Sequence, residues 1–246
     1  MASIETGFRP SVHGFAFRNR WNDPVLGLFP VRGLCGGMTF AVLDYFEADM
    51  PMPRALGPDD LPTEGSVLSR FIWRRQLGSM VAGFGLNAAH FLVWTFLPQN
   101  GPRGLTALTK RQVPRLMERL TGGPVLLGLI SASPKRRMLR NHQVLAYAAS
   151  ETRGKVSVSV YDPNFPKRDD VVIEIDLDGD TGAVEIVGDR RIPWRAVFIE
   201  RYAPVSVPEV VVGGEDGRPD PVVTFVLGVA ALLALLGLTR LFRGRR

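Results

Sequence analysis

The stretch "HQVLAYAASETRGKVSVSVYDPN", residues 142–164, reads as two antiparallel strands ending in a polar turn. Its second half, "KVSVSVYD" (155–162), alternates strictly between Val and Ser, as a strand with one wet face does. Its first half, "HQVLAYAA" (142–149), is apolar after two polar residues. If the two halves pair as a hairpin, the start of the first meets the end of the second. His142 and Asp162 then become cross-strand neighbours, within reach of a carboxylate–imidazole hydrogen bond.

Working outward, the same period recurs. "PVLLGLISA" (124–132) is a continuous apolar run, as in a strand covered on both faces. "VVIEIDL" (171–177) and "GAVEIV" (182–187) alternate and are joined by a turn containing Asp-Gly-Asp, and "RAVFIERY" (195–202) ends the series. Residues 1–121 read differently. "CGGMTFAVLDYFEADM" (35–50) spaces its apolar residues like a helix closed by "PMP" (51–53), with Asp44 and Glu47 on its wet face. "GSVLSRFIWRRQLGSMV" (65–81) predicts a second helix, whose Arg74, Arg75 and Gln76 are candidates to pair with the first. "TKRQVPRLMERL" (109–120) predicts a third helix, with Thr109 and Gln112 as a capping box and Pro114 in its first turns. Helices followed by a mostly antiparallel sheet give an α+β class.

The chain has 246 residues, 46% of them hydrophobic and 22% charged, enough to bury a core without disulfides or metals. Its one cysteine rules out an intrachain disulfide and a cysteine-rich zinc site, and with three histidines no metal or other cofactor is expected. The net charge of +6 owes four units to Arg240, Arg243, Arg245 and Arg246 at the very end, which speaks against nucleic acid as a partner. The basic cluster "PKRRMLR" (134–140) reads as a solvated loop.

Residues 207–221, rich in Gly, Pro and acidic side chains, read as a linker after a domain of residues 1–206. Residues 222–239 are 18 residues without a charge and predict one C-terminal transmembrane helix, followed by a basic tail, 240–246. A membrane is therefore an expected partner. The opening residues do not follow the pattern of a secretory leader, so a cytoplasmic side is favoured for the domain.

"RGLCGGMTF" (32–40) holds the lone Cys35 where a helix would begin. A helix N-terminus and a nearby imidazolium both favour a reactive thiolate, and the backbone N–H groups there can meet an oxyanion. Gly33, Gly36 and Gly37 let a substrate come close. Among the histidines, His13 lies in an irregular segment and His90 in the apolar "LNAAHFLVW", whereas His142 opens a strand, where a side chain is held rigidly.

The order of Cys at a helix start, a His-x-Val strand, then Asp-Pro-Asn after the next strand resembles the papain-like cysteine hydrolases. "HQVLAY…VYDPN" is similar to bacterial members near the peptidase C39 type, and "GLCGGM" resembles the nucleophile segment of related bacterial proteins. The resemblance covers roughly residues 15–175. It implies an α+β papain-like fold, Cys35 as nucleophile, His142 as general base and Asp162 as its orienter, with Asn164 as the alternative orienter. Such enzymes carry a Gln ahead of the nucleophile as oxyanion donor. Phe29 stands there in this chain, which leaves Asn19 or Asn22, and Asn19 is preferred. The implied activity is a membrane-anchored hydrolase acting on a peptide, amide or thioester bond of a peptide or small acyl substrate. A catalytically inactive binding module and a thioester-forming acyltransferase are the alternatives.

Overall fold

Strands of period two build either an open sheet or a closed one, and the difference lies in whether the last strand finds the first. The structure, a computed structural model, describes residues 2–21, 24–25, 29–30, 33–53, 56–132 and 140–208. Its elements in chain order are β1 (Ala2–Glu5), α1 (Pro10–His13), β2 (Pro24–Val25), β3 (Phe29–Pro30), α2 (Cys35–Glu47), α3 (Val67–Phe96), α4 (Leu105–Leu120), β4 (Val125–Ser131), β5 (His142–Thr152), β6 (Lys155–Tyr161), β7 (Val172–Asp176), β8 (Ala183–Val187) and β9 (Arg190–Ile199). From β4 to β9 each strand pairs antiparallel with the next. The last then pairs with the first, Leu127 opposite Ile199 and Ile130 opposite Ala196.

The result is a closed six-stranded antiparallel barrel with helices packed outside it, which corrects the expected papain-like α+β arrangement of a helical half followed by a sheet. The physical reason is long-range pairing. Each strand's alternation fixes its two faces but says nothing about whether β9 returns to β4. The N-terminal part is not wholly helical either, because β1 adds to β5, Ala2 opposite Glu151. Strand β5 accommodates this through its length and a register shift between Ala146 and Ala148. It pairs with β4 along its first half, with β1 along its second, and with β6 on its other edge.

Three apolar clusters hold the layers together. The barrel interior is filled by Val144, Val156, Val158, Val160, Ile173, Ile175 and Val197, continuous with Val113, Leu116 and Leu120 of α4. Outside, Leu126, Leu145, Tyr147 and Tyr161 meet Met38, Phe40, Val42 and Tyr45 of α2 together with Phe8, Phe15 and Phe17. Phe91 and Trp94 of α3 pack on Ile130 and Phe198. Truncating any of the fully buried Phe or Leu side chains costs roughly 2–5 kcal/mol.

The helices depart from expectation at their ends. Helix α4 starts at Leu105 and has no side-chain cap. Thr109 and Gln112 do not form a capping box. Their Oγ1 and Oε1 accept the Val197 and Ile199 N–H groups, fastening the helix to β9, and Pro114 lies well inside the helix. Among the described residues one helix, Val67–Phe96, is long and apolar enough to cross a membrane by length and composition, and it is not C-terminal. It is broken at Ala82–Gly85, and its buried residues Leu68, Phe71 and Ile72 pack in the cluster around α2. The expected transmembrane helix at 222–239, with the linker residues from 209 onward and the basic tail, lies outside the described residues.

Asp44 is not on a wet face. It is 2% exposed, ion-paired with Arg75 Nε at 2.6 Å, and accepts hydrogen bonds from Tyr202 Oη and Val205 N. Arg75 also donates to Ala203 O and lies over the Phe40 and Tyr202 rings. This clasp straps the chain after β9 across the outside of α2.

Candidate active site

Helix α2 begins at Cys35, and its first turn is anchored by side chains from elsewhere. Leu34 at the cap position has no side-chain cap of its own. Asn19 Oδ1 accepts the Leu34 N–H at 2.7 Å and Gln76 Oε1 accepts the Gly37 N–H at 2.9 Å. Two of the donors that a helix start leaves open are thereby satisfied. Gly33 is at φ +90, and a Cβ there would sit 2.5 Å from Asn19 Nδ2, so the approach of Asn19 requires glycine.

His142, the first residue of β5, is opposite Leu129 at one rim of the barrel. Asp162 follows β6 directly at the same rim. His142 Nε2 lies 2.8 Å from Asp162 Oδ1 and 3.1 Å from Asn164 Nδ2. Only the carboxylate can accept an Nε2–H, so Asp162 is the imidazole's acceptor, and Asn164 serves beside it. Asn164 N donates to Asp162 Oδ1 at 2.6 Å, and Asn164 Oδ1 accepts from Asn19 Nδ2 at 3.3 Å. Cys35 lies close enough to the ring for its side chain to favour the charged imidazole. Cys35, His142, Asn164 and Asn19 line one cleft of about 980 Å³. Asn22, the other oxyanion candidate, lies outside the described residues, as do residues 133–139 of the basic cluster, while Arg140 stands in the cleft wall.

Burial opposes charging of His142, but the Asp162 carboxylate and the Cys35 side chain outweigh it and hold the imidazole well above its ordinary value. Burial likewise pushes Asp162 up. Facing His142 more than offsets this and keeps the carboxyl below its ordinary value. The other histidines stand apart: His13 Nδ1 accepts the Arg9 N–H, and His90 packs against Trp94 and Phe198.

Four residues of this site escaped the sequence reading. Trp194 of β9 stacks on His142, 5.9 Å between ring centroids and 14° from parallel. It reaches there because a register shift at Ile130/Ser131 sets Trp194 opposite Ser131 at the rim. Its Nε1 donates to Glu185 Oε2 at 3.0 Å. Glu185 is fully buried in β8, between the inward-facing Ala183 and Val187. The sequence carries no signal for it, because apolar residues flank Glu185 on both faces of "AVEIV"; the structure turns Val184 and Ile186 to the partly exposed face and the Glu inward. Gln143 and Glu200 form the third side. Gln143 Nε2 donates to Glu200 Oε2 at 2.8 Å, and Cys35 Sγ lies 4.0 Å from Gln143 Oε1. Burial pushes the Glu200 carboxyl up to about 8. Among the described residues, no group of three or more His, Cys, Asp and Glu is arranged to hold a metal ion.

A thiol at a helix start, an imidazole beside it and a carboxylate behind the imidazole form an arrangement able to move a proton off sulfur and return it to a leaving group. In comparisons with protein-family models, curated proteins and solved structures, none matches this chain.

Proposed function

We propose that this chain is a cysteine hydrolase that cleaves a peptide, amide or thioester bond by the chemistry of the papain-like enzymes its motifs resemble. One observation carries the reading: Cys35 at the start of α2 and His142 line the same open cleft, and His142 Nε2 is 2.8 Å from the buried Asp162.

In this reading His142 takes the Cys35 proton, and the sulfur attacks the substrate carbonyl. The oxyanion is met by the Cys35 backbone N–H at the helix start. It is also met by Asn19 Nδ2, whose second N–H is free of the 3.3 Å bond to Asn164 among the described residues. The imidazolium then protonates the leaving amine or thiol, and a thioester to Cys35 remains. Water, deprotonated by His142, attacks the thioester. The acid leaves and Cys35 regains its proton. Asp162 holds the ring and stabilises its charged form without itself taking the proton. An amine or alcohol in place of water would make the same thioester an acyl-transfer intermediate.

The test is alkylation of the native protein with iodoacetamide at neutral pH, with the site mapped by mass spectrometry, in wild type and His142→Ala. Selective labelling of Cys35 that slows at least about tenfold in the variant is expected. Equal rates in the two proteins, or labelling only after denaturation, would replace the hydrolase with a non-catalytic binding module.

A further inference from the structure

The barrel interior brings a second carboxyl to the back of Asp162. Asp162 Oδ2 and Glu185 Oε1 are both sealed from solvent, and neither meets an N–H or hydroxyl donor. The two carboxyls are nevertheless neighbours, each changing how tightly the other holds a proton. Two carboxylate anions have no proton to place in such a contact and repel across it, whereas one proton between them satisfies both oxygens. The other oxygens are already assigned: Asp162 Oδ1 faces His142, and Glu185 Oε2 accepts the Trp194 N–H.

We infer that Glu185 is a positioning residue of the site, held as the neutral acid, whose hydroxyl donates to Asp162 Oδ2 and so fixes the carboxylate that orients His142. The chain of contacts runs from Trp194 N–H to Glu185, to Asp162, to His142, and closes on itself because Trp194 stacks on the His142 ring. The proton belongs on Glu185 and not on Asp162, because Asp162 is the carboxyl hydrogen-bonded to the imidazole, whose charged form it favours. Burial, and then the neighbouring Asp162, push the Glu185 carboxyl up to about 8, while His142 and the Trp194 donor pull the other way. The titratable groups around this pair are His142 of β5, Tyr161 at the end of β6 and each other.

The role rests on the hydrolase reading, but its test does not require turnover. Glutamine at 185 reproduces the neutral acid, with Nε2 donating to Asp162 and Oε1 accepting from Trp194. The His142 ring is followed by NMR from pH 5 to 9, assigned with His13→Gln and His90→Gln variants, and Cys35 alkylation is measured in parallel. Wild type is expected to show an inflection in the His142 signals near pH 8 as Glu185 ionises, and Glu185→Gln to lose that inflection while alkylating Cys35 at a rate close to wild type. Glu185→Leu, which keeps the volume and loses the donor, is expected to slow alkylation about tenfold, an effect glutamine rescues. An inflection that persists in Glu185→Gln, or equal alkylation in the leucine and wild-type proteins, would overturn the assignment. Should Glu185→Leu fail to fold, the titration of wild type against Glu185→Gln decides alone. A His142 signal that responds to Glu185 in a protein whose Cys35 stays inert would sink the hydrolase and leave the proton on Glu185 standing.

Discussion

Replacing Glu200 by Gln should make the protein more stable, and by an amount that grows with pH. Glu200 is 2% exposed, and its neighbours Gln143 and Asn87 are neutral donors, so nothing nearby offsets the cost of a charge. Its carboxyl is pushed by burial from the ordinary 4.5 up to about 8. The folded state therefore binds this proton more tightly than the unfolded chain does. The stabilising proton is fully present in both states below pH 4.5, so no penalty exists there. Between 4.5 and 8 the unfolded chain gives the proton up while the folded one keeps it, so stability falls as pH rises and levels off above 8. At about 1.4 kcal/mol per pH unit, this one group costs on the order of 3 kcal/mol at pH 7 and about 5 kcal/mol by pH 8. Glutamine cannot ionise and can still accept from Gln143 and Asn87 through Oε1. For a chain of this size the gain corresponds to roughly 10 °C in Tm at pH 8, shrinking towards a small constant difference at pH 4.5. Thermal unfolding of both proteins in steps of half a pH unit measures this. Because Glu185 titrates in both, its contribution cancels in the difference. A difference that does not change with pH, or a variant less stable than wild type at pH 8, would mean that Glu200 is ionised in the fold and the argument fails.

Cys35→Ala is expected to abolish hydrolysis and thiol labelling while moving Tm by only a few degrees, because the side chain is half-buried at a helix start; calorimetry beside the activity assay checks both. Asp162→Asn should slow the reaction at least about a hundredfold, and adding it to His142→Ala should cost little more, since residues acting as a unit are non-additive. The same cycle run with Asn164→Ala should give weaker coupling, and strong coupling there with none to Asp162 would exchange their roles. Gly36→Ala should cost roughly 1–3 kcal/mol in urea unfolding, because a Cβ would run into Gln143 Oε1 and Ser79 Oγ, both buried, and would push Gln143 away from Cys35.

What the sequence discloses about this site follows from which forces act locally. Apolar spacing and the break at "PMP" place a helix beginning at Cys35, and period-two alternation places β5 and β6 so that His142 and Asp162 come together. Both depend on contacts between neighbours in the chain. Barrel closure does not, since β9 meets β4 across the intervening strands, and with it came the unforeseen Trp194 and Glu185. Thr109 and Gln112 carried a capping pattern, yet β9 offered their oxygens better-placed donors, and the helix simply began earlier. Asp44 shows the same competition. An acidic residue on a helix reads as solvated until an arginine from α3 and the chain after β9 close over it.

The pairing of β9 with β4 also orders events in time. A chain made from its N-terminus releases Cys35 first, then His142 and Asp162, and only much later the strand that carries Trp194. Until that strand docks, the imidazole has no ring stacked on it and the second carboxyl has no indole donor. Long-range strand pairing is slow, because the entropy of closing the loop is spent before any contact returns it. A nascent or half-folded copy thus carries its thiol without a finished apparatus to use it. Under the proposed reading, the chemistry of Cys35 waits on the closing strand pair that brings Trp194 to His142 and Glu185.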